Sequence, residues 1–312
     1  MGGFLCFEFI YNFGCRENEK VMPQNVGRKL AEAIRRQIGR ILYFCSAENV
    51  SPNLAIHEMR KSFKRLRALL RFYIDYPEEF SPEYSKQIQQ FGAMLSTLRE
   101  SFVNIHIFDQ LSANSSLITE KKIKSVKEKL VDKNRELVER GFYDVHGCQS
   151  IHRFALELEQ QIVRIEIERP SHYQIVSQLI DSYDQAFNCY RLIGINSAAD
   201  EFHDLRKKLK RLYYQFDYIR YVHPRFFRLK TYHLNILTDQ LGDDHDLFMF
   251  SIEIKQEDYE LAPSEVEIVE NQVQHLREIN MLKLHPRLRQ FFNEPPEFFI
   301  EKMETIFKIH SV

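Results

Sequence analysis

The apolar pattern of this chain recurs at a fixed distance of 146 residues, and that recurrence constrains the fold more than any other feature. Over AIHEMRKSFKRLRALLRFY, residues 55–73, the apolar positions Ile56, Met59, Phe63, Leu66, Leu70 and Tyr73 step by three and four. That spacing is one face of a helix. Advanced by 146, each position meets another apolar residue, namely Phe202, Leu205, Leu209, Leu212, Phe216 and Ile219. The preceding helix moves with it. Leu30, Ala33, Ile34, Gln37, Ile41 and Phe44 become Val176, Leu179, Ile180, Tyr183, Phe187 and Tyr190. Further on, LSTLRESFV at 95–103 becomes LGDDHDLFM at 241–249. A pattern repeated in this way is an internal duplication of about half the chain. Each half reads as helix, basic helix, loop, helix and further helix, broken at YPEEFSPEYS and HPRFF. Ser51-Pro52 is a fitting start for the basic helix, and Pro77 its end. The expectation is an all-α fold: a duplicated four-helix bundle with pseudo-two-fold symmetry and a basic groove between the halves. The expected divisions are an N-terminal extension over 1–26, a first repeat over 27–168 and a second over 169–312, joined near Pro170.

Composition agrees with a soluble helical chain. Ten Gly and ten Pro are few for 312 residues, and 44% of positions are hydrophobic against 28% charged. The net charge of −1 announces no acidic partner, so any basic cluster must be offset by acids elsewhere. Five cysteines (6, 15, 45, 148 and 189) form no C-x-x-C pair, which argues against a disulfide framework or structural zinc and makes a reducing cytoplasm the default. No apolar run reaches the length of a membrane span. The opening MGGFLCFEFIYNFGCRENEK lacks the basic start of a signal peptide, and Cys6 stands where a myristoylation pattern needs Ser or Thr. It reads as an extension packing its aromatic residues on the body or on a second copy, with Met22 as an alternative start.

The basic residues repeat as well. His57, Arg60, Lys64, Arg67 and Arg71 step by three and four, one position after the apolar seam, and Lys61 and Arg65 flank them. In the second half His203, Arg206 and Lys210 follow the same course beside Lys207, Lys208 and Arg211, until Tyr213 replaces Arg67 and Asp217 replaces Arg71. A Lys/Arg row on one helix is usually a solvated face. Such faces, however, mix in Glu, because oppositely charged i,i+4 pairs stabilise exposed helices; the 57–71 stripe has no acid in phase. Cations spaced one turn apart, about 5.4 Å, suit an extended polyanion. Arg forks match phosphate oxygens bidentately, Lys acts as a point charge, and His gains charge as an anion arrives.

These residues resemble the CHAD family, the conserved histidine α-helical domains. HEMRKSFKRLRALLRFY is similar to the family's first repeat through His57, Arg60, Lys64, Arg65, Arg67 and Arg71, and FHDLRKKLKRLYYQFD to its second through His203, Arg206, Lys210, Arg211, Tyr214 and Asp217. LRESFV and LGDDHDLF sit where the family has its Arg-Asp and Asn-Asp elements, with Glu100 and His245 as departures and Tyr213 in place of the usual Arg. The resemblance covers about residues 25–310. It implies a duplicated four-helix bundle that binds inorganic polyphosphate through His57, Arg60, Lys61, Lys64, Arg65, Arg67, Arg71, His203, Arg206, Lys207, Lys210 and Arg211, with Glu100 and Asp246 as supporting carboxylates. It also implies a binding module rather than an enzyme, needing no metal or cofactor, cytoplasmic or on polyphosphate granules. A triphosphatase or phosphatase partner would be encoded separately, since no β-rich hydrolase domain accompanies it.

Three other readings compete. DDHD at 243–246 and His203-Asp204 resemble the metal sites of HD-type phosphohydrolases, with His203, His245 and Asp246 as ligands of a water-activating divalent ion. Turnover lost in Asp246→Ala would favour that enzyme. Nucleic acid would use the same cations, but a pI near 6.9 and the lack of a nucleic-acid module argue against it. A scaffold recruiting a protein through the charged stretches at 120–140 and 264–284 is the fourth.

Overall fold

The computed structural model describes residues 26–73, 82–113, 118–144, 147–165, 170–194 and 197–308. The N-terminal extension up to residue 25, the predicted helix stop at Pro77 and most of the joint before Pro170 lie outside the described residues. Among the described residues the chain is all-helical, with ten α-helices and no strand. They are α1 (Val26–Ser46), α2 (Pro52–Leu70), α3 (Pro82–Ser112), α4 (Glu120–Val138), α5 (Gly147–Ile165), α6 (His172–Leu192), α7 (Ala199–Ile219), α8 (Pro224–Gln256), α9 (Pro263–Phe291) and α10 (Pro296–Phe307). A 3₁₀ turn (Arg71–Tyr73) follows α2, and a π-helical turn (Glu139–Asp144) follows α4.

The basic helix begins where the sequence predicts, with Pro52 in its first turn, where its missing N–H costs nothing. Ser51 is extended (ψ 143°), but its side chain makes no capping bond. At α7 the start is held differently: the Glu201 carboxylate accepts from the Ala198 N–H at 2.7 Å. Both predicted seams are buried, Ile56, Met59, Phe63 and Leu66 on α2 and Leu205, Leu209, Leu212 and Phe216 on α7. Removing such side chains from water contributes roughly 1.5–3 kcal/mol each.

Helix boundaries keep the 146-residue step. Val26–Ser46 advanced by 146 gives 172–192, the bounds of α6, and α2 to α5 likewise overlap α7 to α10. Among the described residues five helices therefore stand in each half, where about four were expected. The fifth were hard to see. α5 follows the π-helical turn after only two intervening residues, so no Pro or Gly cluster announces it, and α10 is just 12 residues long. Both are amphipathic and buried on one face, through Ile151, Phe154, Leu158 and Ile162 on α5 and Phe299, Met303 and Phe307 on α10.

Two apolar clusters organise these helices. The larger joins the seams of α1, α2, α6 and α7 with α5, α10 and the first parts of α3 and α8. The smaller joins the far end of α3 to α4, and the far end of α8 to α9, through Phe108, Leu111, Val126, Leu130, Phe250, Ile254, Val269 and Val273. α3 and α8, with 31 and 33 residues, run through both clusters; at 1.5 Å per residue each is about 50 Å long. α2 packs on α7 and α3 on α8.

The charged face of α4 is answered within the chain. Lys133 reaches Glu253 at 2.6 Å and Glu257 at 3.0 Å, Lys129 reaches Glu260 at 2.9 Å, and Lys122 reaches Glu265 at 3.5 Å. Among the described residues no helix is long and apolar enough to cross a membrane.

Candidate anion-binding site

The seams that bury α2 and α7 turn their basic stripes toward each other. Each stripe lies one residue past its seam, about 100° around the helix, so packing the two helices side by side sets the cations along the line of contact. Arg60 lies within electrostatic reach of Arg206, and Lys64 of Arg60, Arg206 and Lys210. Farther along the same pair of helices, Arg211 faces Arg71 and Arg67. Arg65 extends over the Tyr214 ring, 5.7 Å from its centroid, a cation–π contact.

Few of these charges are neutralised. Among the described residues, Arg60, Lys64 and Arg206 close no ion pair with a carboxylate within 4.0 Å. The Arg60 Nε–H donates to Ser96 Oγ at 2.8 Å, and Ser96 in turn donates to the Gly92 carbonyl at 2.9 Å. The Nε atoms of Arg65 and Arg206 are buried without a hydrogen-bond acceptor, as is Nδ1 of His203. Buried polar groups are normally partnered, so each of these is an exception that calls for an explanation. Burial, reinforced by Arg206, lowers the pKa of Arg60, and burial with Arg60, Arg206 and Lys210 holds the Lys64 amine well below the usual lysine value. Burial and Arg71 bring Arg211 down to about 10. The common cause is the desolvation of positive charge among like charges.

Glu100 and Asp246, the predicted supporting carboxylates, both face this group. Asp246 favours the charged forms of Arg60 and Lys64. Burial raises the Glu100 pKa, against the opposing pull of Arg60 and then Lys64. Neither closes a direct ion pair with a described residue, so they act through space and leave the cations' donors free.

The histidines are held neutral. The His203 and His245 rings stand 4.1 Å apart between centroids. Burial and His245 bring His203 down to about 4; burial and Arg206 do the same to His245. His57 is also lowered, by burial and then by Arg99. The 146-residue step relates Arg99 to His245 and Glu100 to Asp246; the His203 ring stands against His245, while His57 feels the positive charge of Arg99.

Other predicted residues lie at the margin. Lys61 pairs with Glu58 at 3.3 Å and Lys207 with Asp204 at 2.9 Å, each on its own helix. Lys210 is shared, reaching Asp239 at 3.3 Å and lying 5.3 Å from the Tyr213 ring centroid. Asp217, which stands in place of a cation, pairs with Arg220 at 3.1 Å. Three participants were missed as site residues: Arg99, Ser96 and Gly242. Arg99 carried a signal, its register with His245. Gly242 explains the Leu-Gly pair: a Cβ there would stand 3.0 Å from Arg206 Nη2 and 3.4 Å from its Nε. A side chain at this position would make the Arg206 guanidinium give way by a few tenths of an ångström.

The metal reading is not favoured. Asp244 is taken by the fork of Arg277, at 2.9 and 3.2 Å. His245 and Asp246 lie among Arg60, Lys64 and Arg206. Among the described residues no three or more His, Cys, Asp or Glu side chains come together as metal ligands.

Comparisons agree with this geometry at the level of fold and family. The family model for the CHAD domain matches residues 32–254. A crystal structure of the CHAD domain from the plant Ricinus communis is similar at 16% identity and a TM-score of 0.57, covering 90% of this chain and 92% of that one. PptA from Streptomyces chartreusis is similar at 12% identity and a TM-score of 0.60, covering 86% and 99%. At such identities the likeness is one of fold alone. None of the curated proteins matches the chain.

Proposed function

The chain belongs to the CHAD domain family, and from that premise we propose that it is a polyanion-binding module whose ligand is inorganic polyphosphate. The chain is read as two copies of one five-helix unit, divided near residue 168, that meet along α2 and α7 with the basic groove between them. The shared step of 146 residues in helix boundaries supports that division. The ligand would lie along Arg60, Lys64, Arg206 and Lys210 at the centre and Arg65, Arg67, Arg71 and Arg211 beyond. His57 and His203 would stand at one end, and Lys61 and Lys207 on the rim.

One observation carries the reading: Arg60, Lys64 and Arg206 are packed together with no described carboxylate in direct contact. Like charges brought out of water repel, and a chain of phosphates supplies the missing counter-charge at repeated intervals. Binding is proposed to be the whole activity, with no turnover. The scaffold reading has less to stand on, since the lysines of α4 already pair within the chain.

Calorimetry with short, medium and long polyphosphates, against ATP and duplex DNA, tests the proposal. Long polyphosphate should bind most tightly, with affinity falling steeply with salt as counterions are released. The double reversal Arg60→Glu with Arg206→Glu should abolish binding while helical content by circular dichroism stays unchanged. Unaltered affinity in that variant would remove the basic stripes as the site, and preferential binding of DNA would replace the ligand.

A further inference from the structure

The end of α1 meets the start of α5 in a surface cleft lined by Cys45, Cys148, His152 and Arg153. Two thiols of a chain that otherwise spaces its cysteines widely come together here from positions 103 residues apart. The Cys148 S–H donates to the Cys45 carbonyl oxygen at 3.1 Å, and the Cys45 S–H donates to Met59 Sδ at 3.5 Å. The closeness of the two thiols lowers the Cys148 pKa and, with burial, pushes that of Cys45 up. Cys148 is the second residue of α5, so free backbone N–H groups and the positive end of the helix dipole favour its thiolate. Its position is fixed by backbone packing. A Cβ on Gly147 would stand 2.3 Å from the Gly141 carbonyl oxygen, so only glycine lets α5 start this close to the π-helical turn. Neither cysteine is fully buried.

We infer that Cys148 and Cys45 form a peroxide-reactive dithiol, Cys148 the attacking sulfur and Cys45 the resolving one. The Cys148 thiolate attacks one oxygen of a hydroperoxide. The O–O bond breaks, the alkoxide (hydroxide, for hydrogen peroxide) leaves and takes up a proton, and Cys148 is oxidised to the sulfenic acid. The Cys45 sulfur then attacks the Cys148 sulfur. The S–S bond forms, the S–O bond breaks, and hydroxide leaves with the Cys45 proton as water. Two thiols and one hydroperoxide give a disulfide, an alcohol and water. Because the tie spans 103 residues, it restrains the unfolded chain strongly and should raise the melting temperature. This inference does not depend on the ligand of the basic helices.

The test uses the full chain, fully reduced and then treated with hydrogen peroxide. Peptide mapping under non-reducing conditions should find Cys45 joined to Cys148, two hydrogens lighter, while Cys189, whose pKa is raised by burial, still alkylates. The oxidised chain should melt higher than the reduced one, and a thiol reductant should reverse the shift. In Cys45→Ser, Cys148 should accumulate as a sulfenic acid trapped by dimedone. Before any oxidation, iodoacetamide at neutral pH should label Cys148 of the unsubstituted chain faster than Cys189. The inference is overturned if Cys45 and Cys148 both remain alkylatable after peroxide, if Cys148 pairs with another cysteine, or if Cys189 reacts as fast.

Discussion

Single residues would decide whether the proposed site binds. Gly242 is the sharpest case, because helix propensity and ligand binding pull on it in opposite directions. Replacing a helical glycine by alanine contributes up to about 1 kcal/mol of helix stability, yet the new Cβ would stand 3.0 Å from Arg206 Nη2 and must displace it. Gly242→Ala should therefore leave the melting temperature level or raised while weakening polyphosphate binding several-fold by calorimetry. The histidines set a pH dependence. His203 and His245, both held near 4, stay neutral in the folded protein, whereas an unfolded His titrates near 6.5. Between those values the unfolded chain binds more protons, so the stability of the free protein should fall as pH drops from about 6.5 toward 4. Bound polyphosphate favours the imidazolium, so affinity should rise over the same interval. Melting curves from pH 4.5 to 7.5, with and without long-chain polyphosphate, check both signs, and His203→Gln with His245→Gln should flatten them.

At the scale of elements, α8 is held to α9 by a buried fork. Asp244 is nearly inaccessible and accepts from two nitrogens of Arg277. Removing one partner of such a pair strands the other charge, so Asp244→Ala should cost about 3–5 kcal/mol in denaturant unfolding. Asp246, two residues on, makes no direct ion pair with a described residue and should be far less costly to lose. Asp243, Asp244 and Asp246 look alike in the sequence, and only packing tells the structural carboxylate from the one facing the cations. The helices themselves were largely legible, because apolar steps of three and four need no long-range information. The convergence of the two stripes was an expectation only; the packing of α2 on α7 is what brings Arg60 and Lys64 within reach of Arg206. What escaped was anything set by a neighbour across space. Arg99 joins the site through α3 packing, Lys61 and Lys207 are drawn aside by acids on their own helices, and α5 starts without punctuation.

For the molecule as a whole, the distribution of charge matters more than its sum. A net charge of −1 coexists with a band of positive charge along α2 and α7, while Glu253, Glu257 and Glu260 answer the lysines of α4 near the α8–α9 junction. Adding inorganic phosphate or sulfate to the ligand-free protein should therefore raise its melting temperature by more than sodium chloride at equal ionic strength. A polyvalent anion can seat among Arg60, Lys64 and Arg206, whereas simple screening acts on the whole surface. Equal shifts from the two salts would count against a localised site. The unanswered cations have a consequence for the protein's lifetime. Glu100 and Asp246 relieve that repulsion only through space, and the proposed polyanion would complete the folded state in the thermodynamic sense. Starved of polyanion, a cell would lose the protein to its proteases sooner, so its abundance would follow the phosphate store it is proposed to hold.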